Sequence, residues 1–167
     1  MTQLETYTFE AAGGFPNSRL PVLVYHDVQE AVAASACEEL FARNGWRGAW
    51  VDGIFSFHHF HSTTHEVLGV VGGAASVILG GPGGRRFEVR RGDVLVLPAG
   101  TGHFNAGSSA DFVVVGAYPD GMCWDLRRGD PAELDEALAN IEAVPLPPAD
   151  PVSGRDGPLT EIWPTVT

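Results

Sequence analysis

Five of the six histidines in this 167-residue chain lie in two stretches, at positions 58, 59, 61, 65 and 103. Histidine is the commonest metal ligand, and side chains alternate between faces in a strand, so His59 and His61 point the same way. Glu66 can return on the next strand after a turn at 62–64, and His103 follows a Pro-x-Gly turn. These four side chains predict a site for one divalent ion of iron, manganese, nickel, cobalt or zinc.

Four side chains near the predicted ligands have two interpretations each. Phe55 and Phe57 share the alternation of the histidines and either line a substrate pocket or fill the interior of a barrel, which is the default. Thr101 and Asn105 flank the last predicted ligand and either hydrogen-bond a bound molecule or stabilise a turn.

The two histidines that alternate out of the predicted site, His58 and His65, are either proton carriers behind the ligands or packed outside the site. Strand alternation favours packing outside. No inward acid other than the predicted ligand Glu66 is evident as a general base for proton transfer.

The chain around these residues consists of short apolar runs separated by glycine-rich turns. About six such runs between residues 48 and 119 are typical of an antiparallel sandwich or barrel. A strand is predicted at 20–26, and helices are predicted at 28–43 and 131–144. The last 23 residues hold six of the twelve prolines and predict an extended arm that covers the barrel or a second subunit.

These features predict a single domain over residues 1–167. It divides into an N-terminal strand and helix (1–47), a barrel core (48–119), a C-terminal helix region (120–144) and a proline-rich arm (145–167).

Two segments resemble the two motifs of the cupin family. The segment GIFSFHHFHSTTHEVLGVVGG (53–73) matches a Gly, five residues, His-x-His, four residues, Glu, six residues and Gly. The segment GDVLVLPAGTGH (92–103) matches a Gly, five residues, Pro-x-Gly, two residues and His. The family usually has Asn four residues after that last His, where this chain has Gly107. The flanking sequences resemble the small single-domain bacterial cupins of the YjlB type.

This resemblance implies an all-β double-stranded β-helix, or jelly-roll barrel, with the metal inside its mouth. The added elements are a helix before the barrel, another after it and the C-terminal arm. Carried over by position, the implied metal ligands are His59, His61, Glu66 and His103.

Composition excludes several other classes of function. The formal net charge of -11 opposes binding to nucleic acid and to anionic membrane surfaces. All ten basic residues are arginine, so a Schiff-base lysine and a Walker A loop are excluded. The N-terminus lacks the features of a secretory signal, and two cysteines do not form a disulfide framework, so a cytoplasmic location is expected.

Two main functions agree with these observations. The first is a metalloenzyme that acts on a small polar metabolite, with O₂-dependent, dioxygenase-like chemistry slightly favoured over a sugar or keto-acid isomerase. The second is a non-catalytic protein that binds a small ligand through its metal. A purely structural role ranks last because all four ligand positions are filled. We expect a homodimer, although an arm folded onto its own chain would bury the same apolar residues.

Overall fold

The computed structural model describes residues 3–166, so the predicted domain limits at residues 1 and 167 lie outside the described residues. Within that range, nine strands form two antiparallel sheets: β1 (Gln3–Tyr7), β2 (Val22–His26), β3 (Trp46–Asp52), β4 (Glu66–Gly72), β5 (Ala74–Leu79), β6 (Arg85–Arg90), β7 (Val94–Leu97), β8 (His103–Ser108) and β9 (Val113–Pro119). The six-stranded sheet has the order β1-β2-β7-β4-β9-β3, and the three-stranded sheet has the order β6-β5-β8.

The four inner strands of the six-stranded sheet, β2, β7, β4 and β9, are buried on both faces, which explains their continuous apolar sequences, whereas the outer strands β1 and β3 are largely exposed. Along β2, Val22 and Val24 belong to the core shared with the three-stranded sheet. Leu23 and Tyr25 point the other way, into the core beneath the first helix. The result confirms the predicted mostly-β class: an antiparallel sandwich that is compatible with a double-stranded β-helix, although the described strands do not join into one closed barrel.

Both predicted helices are present, but each is shorter than predicted. Helix α1 spans Ala34–Arg43 and is preceded by a separate 3₁₀ turn at Gln29–Val32. The two are divided at Ala33, whose backbone is extended (φ −150°, ψ 143°). The Arg91 guanidinium donates to the Val32 carbonyl at 2.6 and 2.9 Å and pins the turn to the end of β6. Helix α2 spans Leu134–Ala143 after a 3₁₀ turn at Pro131–Glu133.

The C-terminal arm is predicted to be extended, but in the structure it ends in helix α3 (Pro158–Ile162) and a 3₁₀ turn at Trp163–Val166. Proline at the first helical position is compatible with helix initiation because its missing N–H would lack a partner there anyway. Leu159 and Trp163 are buried in the core beneath α1, and the Trp163 indole donates to the Pro21 carbonyl at 2.9 Å. The arm therefore covers the six-stranded sheet of its own chain.

One buried carboxylate fastens the arm to that sheet. Asp150 is fully buried and accepts hydrogen bonds from the backbone N–H groups of Val152, Ser153 and Leu159 at 2.7, 3.0 and 3.1 Å. It also accepts a hydrogen bond from the Tyr25 hydroxyl on β2. Burial and the adjacent Asp150 carboxylate raise the pKa of Tyr25 well above its usual range, so the phenol keeps its proton.

No helix among residues 3–166 has both the length and the apolar character required to cross a bilayer.

His26 on β2 contacts one carboxylate on β1 and another just before β7, and these contacts should make the free energy of unfolding depend on pH. His26 contacts Asp93 at 2.9 Å and Glu5 at 2.6 Å. Burial opposes protonation, but these two hydrogen-bonded carboxylates outweigh it and raise the pKa of His26. The stabilisation is therefore fully present below the unfolded-state pKa of about 6.5 and is lost as the pH rises through the higher folded-state pKa.

We expect His26→Ala to lower the free energy of unfolding by up to about 1 kcal/mol at pH 6 and by less at pH 9. Urea unfolding of both proteins at the two pH values measures the difference. An equal loss at pH 6 and pH 9 would contradict this assignment.

Candidate metal centre

Backbone hydrogen bonds, rather than a continuous strand, bring the histidines together. The predicted strand through His61 ends earlier, at Asp52, and residues 53–58 form no regular strand. His59 and His103 exchange backbone hydrogen bonds of 3.1 and 2.8 Å. The His61 carbonyl accepts the Gly100 N–H at 2.8 Å, from the turn that precedes His103. The two histidine-bearing motifs are thereby joined directly.

The side chains of His59, His61 and His103 converge on one point. Each contributes one ring nitrogen, and the three nitrogens lie within 4.8 Å of one another. All three residues are buried, with 2%, 6% and 3% of their surface exposed. These distances are short enough for a single ion to contact all three rings.

A backbone carbonyl fixes the tautomer of each of the three rings. The Nδ1 atoms of His59 and His103 lie 2.9 and 3.0 Å from the carbonyl oxygens of Phe57 and Thr101. The Nδ1 atom of His61 bonds to the carbonyl oxygen of Asp125. Because a carbonyl can only accept, each Nδ1 carries a hydrogen, and in the neutral ring Nε2 is left with a free lone pair. Metal-binding histidines are oriented in this way.

Glu66, the first residue of β4, places a buried carboxylate against two of the three rings. Its Oε1 atom lies 3.3 Å from Nε2 of His103 and 3.5 Å from Nε2 of His61. Burial opposes ionisation of this carboxyl, but the two histidines outweigh it and lower the pKa of Glu66. Burial alone would lower the pKa of His61, but Glu66 outweighs burial and raises it. Burial and the neighbouring His103 lower the pKa of His59 to about 2.

The donor set fits a divalent transition metal. Imidazole nitrogens with one carboxylate suit iron, manganese, nickel, cobalt and zinc. The negative charge of the carboxylate attracts a cation to the three nitrogen lone pairs. The three histidines thus form a group that can hold a metal ion.

A cavity of about 240 Å³ opens beside the histidines. It is lined by the three histidines, Glu66 and a largely apolar wall: Trp50, Val51, Asp52, Gly53, Ile54, Phe55, Leu68, Tyr118 and Trp124. Burial, together with the nearby Glu66 carboxylate, raises the pKa of Tyr118 well above its usual range. The phenol therefore stays neutral beside the histidines.

The segment after β9 holds the loop that carries His61. The Asp125 carboxylate accepts hydrogen bonds from the backbone N–H groups of Ser62 and Thr63 at 2.6 and 3.2 Å. It also pairs with Nε of Arg127 at 2.9 Å, and Arg127 in turn contacts Glu133 at 2.9 Å. Because the Asp125 carbonyl accepts the His61 ring proton, this network orients one of the three histidines.

Of the four side chains with two interpretations in the sequence analysis, one lines the cavity and three do not. Phe55 lines the cavity, whereas Phe57 stacks on Phe55 at 5.0 Å and does not line it. Thr101 contributes its carbonyl oxygen to His103. The Asn105 side chain contacts Ser108 and the Gly107 N–H, so it stabilises its own turn of backbone outside the cavity.

His58 and His65 both lie outside the cavity. His58 stacks on Phe104 at 4.5 Å, and its Nδ1 is the one buried side-chain nitrogen or oxygen of residues 3–166 that lacks a hydrogen-bond partner. His65 accepts the Ala99 N–H at 2.9 Å through Nδ1 and packs against Trp163. Burial lowers the pKa of His65 to about 4, so it is neutral near pH 7.

Sequence reasoning missed several residues of the site. No inward acid besides Glu66 is evident from the sequence, but Asp52 also lines the cavity. Asp52 is the last residue of β3 and lies three residues before Phe55, and this closeness to a predicted pocket residue is the signal that could have identified it. Asp125 and Trp124 carried no such signal, because the segment after β9 is irregular.

Comparison with known proteins agrees with this arrangement. The cupin family model matches residues 52–120. The protein YjlB of Bacillus subtilis (strain 168) is 39% identical over 162 residues, covering 96% of this chain and 97% of YjlB.

Solved structures are more distant. A Bacillus anthracis acireductone dioxygenase with cadmium in its active centre is 19% identical, with a TM-score of 0.40 over 55% of this chain and 62% of that one. A Bacillus subtilis oxalate decarboxylase with Mn(II) centres is 20% identical, with a TM-score of 0.36 over 65% of this chain and 22% of that one. Since the family model covers both histidine motifs and YjlB aligns along nearly the whole length, this chain belongs to the cupin family as a small cupin of the YjlB type.

Proposed function

We propose that this cupin binds one divalent metal ion through His59, His61 and His103, with Glu66 as the fourth ligand. The ion and the adjoining cavity would together act on a small molecule. The observation that carries the proposal is the common orientation of the three rings, each with Nδ1 bonded to a carbonyl oxygen. Three buried histidines packed for other reasons would have no cause to share one tautomer and converge.

When bound, the metal supplies Lewis acidity and, if it is iron or manganese, redox chemistry with O₂. The chain supplies the rest of the site. Its largely apolar wall would exclude water and orient the substrate, and the Tyr118 hydroxyl, which accepts a hydrogen bond from Trp50 and interacts with Glu66, adds a polar group to it. We favour an O₂-dependent oxidoreductase as the first reaction to test.

A second candidate is an isomerase-type reaction, which needs a group that accepts a proton. The Asp52 carboxylate at the cavity wall supports it, because a carboxylate within reach of a bound substrate can serve as a general base. A non-catalytic protein that holds a ligand through its metal uses the same residues and is distinguished by the absence of turnover.

The test is the metal content of untagged protein purified without added metal, with a His61→Ala, Glu66→Ala double variant as control. We expect close to one equivalent of metal in the natural protein and background in the variant. Iron would direct the next assay to O₂ consumption with candidate substrates. Equal metal content in both proteins, or no metal even after reconstitution, would overturn the ligand assignment.

A homodimer and a cytoplasmic location remain predictions. The arm already buries Leu159 and Trp163 against its own sheet, so these two residues do not require a second subunit.

A further inference from the structure

The wall of the cavity is mainly aromatic and aliphatic. Four aromatic and three aliphatic side chains form it besides the histidines: Trp50, Phe55, Tyr118, Trp124, Val51, Ile54 and Leu68. Phe55 and Trp124 leave 44% and 46% of their surface exposed at this site. Large apolar side chains exposed around a concave site are characteristic of a surface that a ligand covers.

One part of this wall is held flat and rigid. The Trp50 indole donates to the Tyr118 hydroxyl at 2.7 Å. Its ring lies over Gly116 on the neighbouring strand, where a Cβ atom would come within 2.2 Å of the ring. Glycine therefore leaves the space that the indole occupies. A flat ring fixed against a strand offers a planar surface to a bound molecule.

The cavity wall carries no cationic side chain to pair with an anionic substrate. Its charged residues are two acids, Asp52 and Glu66, and no arginine lines it. The Arg127 guanidinium already forms ion pairs with Asp125 and Glu133. The guanidinium of Arg128 lies 4.0 Å from the centre of the Phe57 ring, which is not part of the wall. A ligand with a second anionic group would find no counter-charge and would approach Asp52.

The size of the cavity limits the ligand further. The space beside the histidines has a volume of about 240 Å³. Sites for drug-sized ligands begin at about 300 Å³. The part of the ligand that lies against the wall is therefore small.

We propose that the cavity takes a small, planar, apolar molecule that presents one chelating or singly anionic group to the histidines. Dicarboxylates and phosphate esters are disfavoured. This inference deepens the proposed function and rests on it, because the chelating group needs the metal. It replaces the small polar metabolite expected from the sequence with a more apolar class.

Three hydroxamates with one chelating group and different bodies test the proposal: benzohydroxamate, acetohydroxamate and the monohydroxamate of malonate. Binding is followed by calorimetry and by tryptophan fluorescence, on protein whose metal content has first been measured. We expect benzohydroxamate to bind about 10- to 100-fold more tightly than acetohydroxamate, because its phenyl group is buried against the wall. The malonate derivative, with its extra carboxylate, should bind more weakly than acetohydroxamate.

Two matched variants assign the preference to the wall. Trp124→Ala should reduce the ratio of benzohydroxamate to acetohydroxamate affinity at least threefold. Leu126→Ala, in the same segment, 40% exposed and outside the cavity lining, should leave the ratio unchanged. Protein that holds metal but shows no preference for the phenyl body, or that prefers the malonate derivative, would overturn this inference alone. Protein that holds no metal would overturn the proposed function itself.

Discussion

Replacing His103 with alanine is expected to remove the thermal stabilisation that a divalent metal gives to this protein. An ion that binds only the folded state adds about 2.7 kcal/mol when its free concentration is 100 times its Kd. For a chain of this size, 1 kcal/mol shifts the melting temperature by about 2–4 °C, so we expect a rise of about 5–11 °C. Alanine keeps the backbone bonds between residues 103 and 59 but lacks the ring that faces Glu66.

The measurement is calorimetry of metal-free and metal-loaded protein, with His58→Ala as the matched control. His58 is adjacent to a predicted ligand, but its ring stacks on Phe104 outside the cavity. The control should keep the full metal-dependent rise, whatever its stability without metal. A rise of the same size in His103→Ala would show that the ion binds elsewhere.

Replacing Asp150 with alanine should have the largest effect on stability without metal. The substitution leaves three backbone N–H groups and the Tyr25 hydroxyl without their acceptor in a fully buried position. A buried polar group that loses its partner costs about 1–3 kcal/mol, and relaxation of the arm recovers part of the sum. We expect a loss of about 3–5 kcal/mol, a large fraction of the 5–15 kcal/mol typical of a domain.

Chemical unfolding measures this loss, and two further variants control it. Asp156→Ala changes an exposed acid in the same arm and should alter stability by less than about 0.5 kcal/mol. Tyr25→Phe removes one donor only and should cost about 1–2 kcal/mol, which keeps the test available if Asp150→Ala does not fold. Comparable stability of the Asp150→Ala and natural proteins would show that the arm is not anchored in this way.

The sequence contained enough information to predict the fold class and the histidine cluster. The strand VLVL is apolar at every position and VLVYH at every position but the last, and both strands are buried on both faces of the sheet. The convergence of His59 and His61 followed from their spacing. Strand alternation predicts this convergence, but in the structure the two histidines lie in an irregular segment and are positioned by backbone hydrogen bonds to residues 103 and 100.

The rest of the site could not be predicted because its contacts join distant and irregular segments. Asp125 lies 64 residues from His61, and no periodic pattern relates the two. The helical end of the arm was hidden by the high proline content, although Pro158 occupies the first position of α3, where proline is tolerated.

The order of the six-stranded sheet has a consequence for the smallest part of this chain that can fold alone. The segment that matches the family model, residues 52–120, keeps β4, β7 and β9 but lacks β2 and β3, their outer neighbours. An excised fragment of that extent would expose both edges of an apolar three-strand remnant, which favours edge-to-edge aggregation. It would also lack the Asp125 carbonyl that orients His61. The recognisable motif and the autonomous folding unit are therefore different lengths of chain.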